Sequence, residues 1–369
     1  MSKIKLLGKT PSQLKEIAVA AGLPSFTGNQ IAQWMYKKKV CSIDQMTNLS
    51  KAAREKLSQT YEVGAIAPQE VYTSADGTKK YLFPARCPVG AVHDKTITVH
   101  DKTLSVIPSE VEESIVEAVM IPDQDRATLC VSSQAGCKMG CKFCMTGRQG
   151  FHGNLSVADI LSQFITIDEA DALTNTVFMG MGEPLDNFDA VMAAIEVLTA
   201  DWGFAWSPKR ITLSSIGVLP RLKDYLDGCK CHLAISLHNP FPDERESMMP
   251  VQKAFPLAKV LDLLRQYDFT GQRRVSFEYT MFSGFNDDKR HADALVRLLR
   301  GLPCRVNLIR FHKIPDFPYG TSPMPVMEAF RDRLNASGIT CTIRASRGED
   351  IFAACGLLAG KHGKPVNDF

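Results

Sequence analysis

From residue 117 onward, short β-rich segments alternate with amphipathic helical segments, and this pattern constrains the fold more than any other feature of the sequence. Helical periodicity is found at 157–164, 188–198, 257–267, 289–299 and 326–337. Seven segments have strand character: ATLCVSS, TNTVFMGMGEP, KRITLSSIG, CHLAISLHN, RRVSFEYTMF, CRVNLIRFH and TCTIRAS. This alternation predicts an α/β fold with a parallel sheet, a partial or full β/α barrel whose chemistry lies at the carboxyl ends of its strands.

The loop after the first predicted strand carries the most informative motif. Its sequence, GCKMGCKFCMTGRQG, places Cys137, Cys141 and Cys144 in the spacing CxxxCxxC. Three thiols without a fourth close by can bind three irons of a cubane iron–sulfur cluster and leave the fourth iron open. An open iron can hold a small ligand, which a site with four cysteines cannot do.

The same cysteine spacing is compatible with a packed helix face and with a zinc site, and the residues alone leave both open. The i, i+4, i+7 spacing marks one face of a helix, so the thiols could be packed core residues. Gly136, Gly140 and Gly147 argue against a helix, because each glycine costs about 1 kcal/mol in a helix interior. Structural zinc takes four ligands, and the nearest histidine, His152, is not in a familiar zinc pairing.

Cysteine usage and hydropathy predict a cytoplasmic protein. The chain of 369 residues has eleven cysteines, an odd number at irregular spacings, unlike a secreted disulfide framework. The first residues, MSKIKLLGKTPSQLK, lack the apolar core of a signal peptide, and no later stretch is long enough to cross a bilayer. We therefore predict no membrane partner.

The net charge of +3 is unevenly distributed along the chain. Residues 1–85 contain eleven lysines and one arginine against six acidic residues. Such a basic module predicts a polyanionic partner, such as nucleic acid. A lysine-rich solvated surface would have the same composition.

The basic module is predicted to be helical. Helices are expected at 13–21 and 28–39, and the second ends in Lys37, Lys38 and Lys39. These lysines suit the carboxyl end of a helix electrostatically, and they could also contact phosphates.

The sequence divides into three regions. Residues 1–85 are predicted to be the basic N-terminal accessory domain, which binds RNA. Its last part contains Gly77 followed by KKYLF, which predicts a hairpin. Residues 86–113 form a polar, β-like excursion from the main fold. Residues 114–369 form the barrel and a tail that carries Cys355.

Six ordered strings resemble the RlmN/Cfr family of radical S-adenosylmethionine (SAM) adenine methylases. They are RATLCVSSQAGCKMGCKFCMTG, VFMGMGEPLDN, KRITLSSIG, LAISLHNP, RVNLIRFH and RGEDIFAACG, between Arg126 and Gly356. The helical module is similar to that family's accessory domain, and the likeness is closer to the RlmN branch. The resemblance implies a radical SAM core with a small N-terminal helical accessory domain.

The resemblance also implies two cofactors and their ligands. Cys137, Cys141 and Cys144 would hold a [4Fe–4S] cluster, whose open iron chelates the amino acid end of SAM. Gly182 and Glu183 would receive the SAM amino group, and glycine lets the ligand approach the backbone. The other implied SAM contacts are Ser214, Ser236, Leu237, His238 and His312, the last of which would close the pocket.

Three further residues would carry the chemistry that the family implies. The Cys355 thiolate would take a methyl group from one SAM by displacement. A second SAM, cleaved at the cluster, would give a 5′-deoxyadenosyl radical that removes hydrogen from this methyl group, which then adds to carbon 2 of an adenine. Glu117 would accept a proton, and Cys130 would attack the Cys355 sulfur, form a transient disulfide and release the methylated base.

The implied substrates are an adenosine in the peptidyl-transferase centre of 23S rRNA and the adenosine 3′ of the anticodon in certain tRNAs. Such a base must be unstacked to enter a barrel pocket, which suits a basic module that grips the RNA backbone. An external electron donor such as flavodoxin is implied as well. Two alternatives stay open: methylation at carbon 8, as in the Cfr branch, and a metal-binding RNA module or redox sensor without catalysis.

The sequence departs from the family pattern at two places. The segment 86–113 is longer than the family's short hairpin by roughly twenty residues, which makes the alignment of Glu117 less direct. The chain reads GLL after Cys355 where the family commonly reads GQL. We expect that loss of an amide to loosen the loop that carries Cys355.

Overall fold

A computed structural model of the chain describes residues 3–86 and 113–359. The strands are β1 (Ile4–Lys5), β2 (Tyr61–Glu62), β3 (Glu70–Thr73), β4 (Lys79–Arg86), β5 (Glu113–Asp123), β6 (Arg126–Cys130), β7 (Gln134–Gly136), β8 (Phe151–Asn154), β9 (Asn175–Phe178), β10 (Ile211–Ser215), β11 (His232–Ser236), β12 (Val275–Ser283), β13 (Arg305–Arg310), β14 (Gly320–Thr321) and β15 (Thr340–Ile343).

The helices surround the sheet or form the N-terminal module. They are α1 (Pro11–Ala20), α2 (Thr27–Ala32), α3 (Lys51–Thr60), α4 (Met145–Arg148), α5 (Val157–Ile165), α6 (Phe188–Thr199), α7 (Leu219–Gly228), α8 (Pro242–Met248), α9 (Leu257–Leu264), α10 (Lys289–Leu299) and α11 (Met324–Ala336). A π-helical turn, Gln33–Lys37, continues α2.

The seven predicted strands form the parallel part of one sheet, in the order β15-β13-β12-β11-β10-β9-β6. Within the described ranges, the pairing does not close from β15 back to the other edge, so the barrel is partial. The α/β fold predicted from the alternation of segments is therefore confirmed. The carboxyl ends of these strands lie at one end of the sheet, where such folds place their chemistry.

Local sequence explains why the predicted helices form. Ser156 caps α5, since its hydroxyl accepts the Asp159 N–H (3.2 Å) and the Asp159 carboxylate accepts the Ser156 N–H (3.0 Å). This reciprocal arrangement satisfies two donors at the helix start. Ile160, Leu161 and Phe164 are completely buried against the sheet, as their spacing predicts.

An antiparallel extension continues the sheet beyond the parallel strands. β6 pairs with β5, β5 with β4 and β4 with β3. The hairpin predicted at Gly77 connects β3 and β4, and Gly77 has φ +82, which is a left-handed conformation that glycine adopts readily. Residues 70–86 thus pair with the barrel sheet, and most of the predicted excursion 86–113 lies outside the described residues. The division of the chain at 85 and 113 stays a prediction.

The N-terminal module is helical, as predicted, and its lysines contact the barrel, among them Lys5, which lies 3.2 Å from an oxygen of Asp159 on α5. The Lys39 ammonium donates to the Ala170 carbonyl oxygen and lies 2.9 Å from an oxygen of Asp171. Lys38 lies over the Trp34 ring, 3.6 Å from its centre. Among the three lysines proposed to contact phosphate, Lys39 is therefore already engaged with the barrel. Within the described residues, no helix combines the length and the apolar character needed to cross a bilayer.

Candidate active site

One cavity opens at the carboxyl ends of the parallel strands, and it gathers most of the predicted site residues. Those that line it are Cys137, Cys141, Cys144, Gly182, Glu183, Ser214, Ser236, His238 and Cys355. They come from five places in the chain that are as much as 218 positions apart. Parallel strands bring them together because all their carboxyl ends lie at the same edge of the sheet.

The cysteine loop is an irregular turn and not a helix across the three thiols. It begins at Gly136, whose φ of +71 is left-handed. A Cβ atom there would lie only 2.0 Å from the Gly150 carbonyl oxygen. The Cys137 N–H donates to that same oxygen (2.8 Å), and the Lys142 N–H donates to the Met248 carbonyl oxygen (2.9 Å). The helical alternative for this spacing is thereby removed, since only the short helix α4 follows Cys144.

The loop and the Cys355 segment pack on the same aromatic cluster, which explains why they meet. Phe143 of the loop lies against Phe282, with ring centres 5.3 Å apart. Ala354 and Leu357, on either side of Cys355, are buried in the same cluster. Leu357 stands where the family commonly has glutamine, and here the position contributes apolar packing. The expected loosening of the loop stays a prediction.

The burial of the thiols and a buried cation beside them set the conditions under which they would bind an iron–sulfur cluster. Burial raises the pKa of Cys137 to about 12 and that of Cys141 well above its usual value, so a bound metal must displace their protons. Arg245 is completely buried, donates to neutral oxygens including the Leu237 carbonyl (3.0 Å), and lies within electrostatic range of Cys141. A buried cation of this kind suits an anionic set of thiolates.

The same thiols do not form a site for a single ion. In the described part of the chain, no three side chains of Cys, His, Asp or Glu are arranged to hold one metal ion. The three cysteines surround a cavity instead, with Met139, Phe143 and Gly182 in its wall. Three cysteines around one cavity are compatible with a group larger than one ion.

Glu183 is a buried carboxylate held in place at the floor of the cavity. Its two oxygens accept the Leu185 N–H (3.1 Å) and the Ile216 N–H (3.0 Å). Burial raises its pKa to about 7, although these hydrogen bonds oppose the shift. Gly182 beside it has φ +96, and a Cβ there would lie 2.5 Å from Gln134. A cationic ligand group would find here a preorganised acceptor that gains its charge near neutral pH.

If Glu183 receives the SAM ammonium group, Glu183→Gln should weaken SAM binding roughly 10- to 100-fold, as loss of a charged hydrogen bond does. A carboxyl with a pKa near 7 is neutral below that pH, so affinity of the unaltered protein should fall as pH drops below 7. The variant should lose this dependence. Equilibrium binding with labelled SAM between pH 6 and 8 measures both effects. Asp189→Asn, at an exposed position of α6, is the control, and equal affinities for Glu183→Gln and this control would contradict the assignment.

His238 is a neutral imidazole at the cavity wall. Its Nδ1 accepts the Thr280 N–H (3.0 Å), which leaves the proton on Nε2. Burial lowers its pKa to about 3, and the Arg245 charge acts in the same direction. The residue has φ +56, an uncommon conformation for a non-glycine residue and a frequent mark of a functional position. His238 can therefore donate a hydrogen bond to a ligand.

Two residues predicted to contact SAM do not line this cavity. Leu237 is completely buried, and its carbonyl oxygen accepts a hydrogen bond from Arg245. His312 contacts Ser346 through Nε2 (2.9 Å) and Glu349 through Nδ1 (3.1 Å). His312 thus supports the segment that leads to Cys355. Direct SAM contact by either side chain stays a prediction.

Hydrogen bonds hold the Cys355 segment against helix α4. The Met145 N–H donates to the Gly356 carbonyl oxygen (2.8 Å), and the Thr146 hydroxyl donates to the Leu358 carbonyl oxygen (2.7 Å). Cys355 itself lies at the cavity and is exposed. Because α4 begins directly after Cys144, these bonds place Cys355 beside the predicted cluster ligands.

Cys130 is the last residue of β6, one of the parallel strands of the sheet. It is 8% exposed. Burial raises the pKa of its thiol to about 12, and the charge of Cys355 adds to the shift. The two cysteines are therefore close enough to influence each other, although Cys130 does not line the cavity.

Glu117 lies on β5 and is buried, 1% exposed. Its Oε1 accepts the Ala359 N–H (3.1 Å), and its Oε2 lies 3.5 Å from the Lys80 ammonium. Lys80 is on the adjacent strand β4 and is buried as well. In this conformation the Glu117 carboxylate holds the end of the Cys355 segment, and its role as a proton acceptor stays a prediction.

Glu278 and Arg344 are polar groups near the cavity that sequence reasoning missed. Glu278 lines the cavity and accepts hydrogen bonds from Asn307 (2.7 Å) and Ser276 (3.0 Å). The signal was available, since an acidic residue inside the apolar strand VSFEYTMF needs polar partners when buried. Arg344 follows β15 and lies 3.5 Å from the Glu278 carboxylate.

Comparisons with known proteins agree with the fold. The sequence model of the Radical SAM superfamily matches residues 131–295. The model of the ribosomal RNA large subunit methyltransferase N-terminal domain matches residues 4–63. A radical SAM methyltransferase from Sphaerobacter thermophilus has the same fold, with a TM-score of 0.85 and 34% identity over 97% of this chain and 100% of its own.

Curated relatives extend over almost the whole chain. A probable dual-specificity RNA methyltransferase RlmN from Porphyromonas gingivalis is 54% identical over 97% of this chain and 94% of its own length. The dual-specificity RNA methyltransferase RlmN from Marinobacter nauticus is 39% identical over 97% of this chain and 93% of its own. The resemblance identified from the six sequence strings is thus confirmed. The chain belongs to the RlmN family of radical SAM RNA methyltransferases.

Proposed function

We propose that this chain methylates carbon 2 of adenosine in 23S rRNA and in tRNA, and that the methyl group passes through Cys355. The observation that carries this proposal is the position of Cys355 in the same cavity as Cys137, Cys141 and Cys144. A nucleophilic thiol beside the cluster ligands would first take the methyl group by displacement. The same methyl group would then lie close enough to the cluster to react as a radical. The names of the relatives support RNA as the substrate.

Cys137, Cys141 and Cys144 would hold the [4Fe–4S] cluster. When bound, the cluster supplies the electron that cleaves SAM. Glu183 would receive the SAM ammonium group, while Ser214, Ser236 and the Nε2–H of His238 would contact the rest of the molecule. Leu237 would act through the shape of the pocket. His312 would act by supporting the segment that carries Cys355.

Cys355 would act first, as a nucleophile. Its thiolate attacks the methyl carbon of SAM, so that a sulfur–carbon bond forms while the bond to the SAM sulfonium breaks. Exposure at the cavity allows SAM to reach the sulfur, and the hydrogen bonds from Met145 and Thr146 hold the segment in place. After loss of one hydrogen atom, the methyl carbon would add to carbon 2 of the adenine.

Glu117 and Cys130 would complete the reaction. Glu117 would accept a proton from the adduct once Ala359 no longer donates to its carboxylate. Cys130 would attack the Cys355 sulfur and release the methylated base. The disulfide that forms is transient, since another turnover needs both thiols.

RNA recognition would involve the N-terminal module and the rim of the cavity. Lys37 and Lys38 keep their proposed role toward phosphate, whereas Lys39 is engaged with Asp171. Lys142 and Arg148 add positive charge beside the cysteine loop. A flavodoxin-like electron donor and a cytoplasmic location stay predictions.

The test is the methyl position in RNA from cells with and without the gene, measured by mass spectrometry of nucleosides. We expect 2-methyladenosine in both rRNA and tRNA only when the gene is present. The protein purified without air should contain about four irons with matching sulfide. Finding 8-methyladenosine would contradict the assignment of carbon 2 as the methylated position. Finding no gene-dependent methyladenosine, together with one bound zinc in the purified protein, would overturn the assignment as an enzyme.

A further inference from the structure

Gln134 is a completely buried glutamine behind the chain segment that carries Glu183. It is the first residue of β7, and its side chain makes three hydrogen bonds. Its Oε1 accepts the Glu183 N–H (2.9 Å), while its Nε2 donates to a carboxylate oxygen of Asp186 (2.7 Å) and to the side-chain oxygen of Asn154 (2.8 Å). An N–H on one side and a carboxylate on the other determine which end of the amide is oxygen and which is nitrogen.

Two of these partners lie at the ends of one tight turn, 183–186. The Asp186 N–H donates to the Glu183 carbonyl oxygen (3.0 Å) and closes the turn. The Gln134 amide spans it, from the Glu183 N–H to the Asp186 carboxylate. At Gly182, directly before the turn, a Cβ would lie 2.5 Å from the Gln134 Cβ, so the chain approaches the glutamine as closely as only glycine permits. Gln134 therefore holds the turn both by its amide and by direct contact.

The same network reaches the cysteine loop. Lys138 directly follows Cys137, and its ammonium lies 3.0 Å from the Asp186 oxygen that accepts from Gln134. The Lys138 side chain is 48% exposed, so solvent screens its contact with Asp186. Gln134 is buried, and its hydrogen bond to Asp186 is charge-assisted and shielded from water. The buried amide is therefore the firmer of the two links between the turn and the rest of the site.

We propose that Gln134 is a positioning residue for SAM, whose amide fixes the turn 183–186 so that Glu183 keeps its place relative to the cysteine loop. The proposal rests on the SAM site proposed above, in which one ligand contacts both the cluster and Glu183. A ligand held at two points binds tightly when both are preorganised, because ordering them on binding costs free energy. Gln134 does not line the cavity, so it acts through Glu183.

The first test measures the SAM dissociation constant of the protein with its cluster. Gln134→Met keeps the side-chain length and removes the three hydrogen bonds, so the constant should rise about tenfold. The EPR spectrum of the reduced cluster without SAM should stay the same, whereas its change on addition of SAM should need about ten times more SAM. Gln163→Met is the matched control. Gln163 is also completely buried, and its amide pairs with the backbone of Ser132 (2.9 and 3.0 Å), so this variant should lose stability but keep its SAM affinity.

A reciprocal exchange tests the hydrogen bonds themselves. Gln134→Glu alone sets a carboxylate against Asp186 and should weaken SAM binding more than Gln134→Met does, because like charges repel. When Asp186→Asn is added, the new amide can donate to the new carboxylate, whose other oxygen still accepts the Glu183 N–H. Asn154 is exposed and can turn its amide to donate as well. The double variant should therefore bind SAM within about threefold of the unaltered protein.

Two results would overturn the proposal. One is normal SAM affinity in Gln134→Met. The other is a folded double variant that binds SAM no better than Gln134→Glu, because packing and not amide pairing would then explain the loss. Glu183→Gln separates this proposal from the proposed function. If Glu183→Gln weakens SAM binding and Gln134→Met does not, only the role of Gln134 fails; if neither does, the SAM site itself is wrong.

Hydrogen exchange tests the same contact without cluster, SAM or RNA. In the full chain without cofactors, peptides that cover 181–186 should exchange about tenfold faster in Gln134→Met than in Gln163→Met, because the first change removes the acceptor of the Glu183 N–H. Peptides from α10 report overall stability and should exchange alike in the two variants. Equal exchange over 181–186 in both variants would overturn the role of Gln134.

Discussion

Replacement of Cys355 by alanine is expected to abolish methylation, with a loss of at least about 1,000-fold. The change removes the atom that accepts the methyl group, and the other side chains that line the cavity cannot substitute for its sulfur. Cys355 is exposed, and its neighbours Ala354 and Leu357 supply the packing of the segment, so the variant should fold normally. Incubation with labelled SAM, followed by mass spectrometry of the Cys355 peptide and of RNA nucleosides, measures the effect.

The matched control for this variant is Cys41→Ala. Cys41 is also an exposed free cysteine, but it lies in the N-terminal module, away from the cavity. The Cys41→Ala variant should retain full methylation activity. Methylation of RNA by Cys355→Ala at even one tenth of the normal rate would contradict the account, because the methyl group would then have a route that avoids this sulfur.

Replacement of Cys130 by alanine should leave methyl transfer to Cys355 intact but block release. The covalent adduct between the protein and RNA should therefore accumulate. Methyl transfer to Cys355 and addition to the adenine do not need the Cys130 sulfur, whereas release does. We expect most of the active protein to remain covalently joined to RNA after one turnover, with free methyladenosine reduced at least about 100-fold. Denaturing gel electrophoresis detects the adduct, and nuclease digestion with peptide mapping locates it at Cys355.

Cys341→Ala is a suitable control for the loss of a buried sulfur. Cys341 lies in β15 of the same sheet and is 3% exposed, similar to Cys130 at 8%. Both changes leave a small cavity and should lower stability by a similar amount, about 1 kcal/mol. Multiple turnover by Cys130→Ala without an adduct would exclude the releasing role, and an adduct in Cys341→Ala would show that packing defects alone can trap the RNA.

Several parts of the site could be predicted because they depend on local sequence. The glycine-bounded spacing of Cys137, Cys141 and Cys144 determines a loop that presents three thiols. Alternating strand and helix segments determine a parallel sheet, and its carboxyl ends bring Glu183 and His238 to the same cavity. These features need no knowledge of distant contacts.

The remaining parts depend on contacts between segments far apart in the chain. Lys39 was predicted to be available for phosphate, but Asp171, more than 130 positions away, pairs with it. Glu117 is predicted to accept a proton, and in the structure its carboxylate accepts a hydrogen bond from Ala359, which lies 242 positions further along the chain. Neither pairing has a periodic or motif-like signal, because each depends on how the barrel positions the two segments. Arg344 was missed for the same reason.

The central claim is that the methyl group passes through Cys355 and loses one hydrogen there. The most direct measurement uses SAM with three deuterium atoms on its methyl group and counts deuterium in the methyladenosine product. For each methyl group taken from this SAM, the account predicts a product with two deuterium atoms and one hydrogen from solvent. It also predicts one deuterium in the 5′-deoxyadenosine. A product that retains all three deuterium atoms would contradict the account, since it would require direct transfer of an intact methyl group.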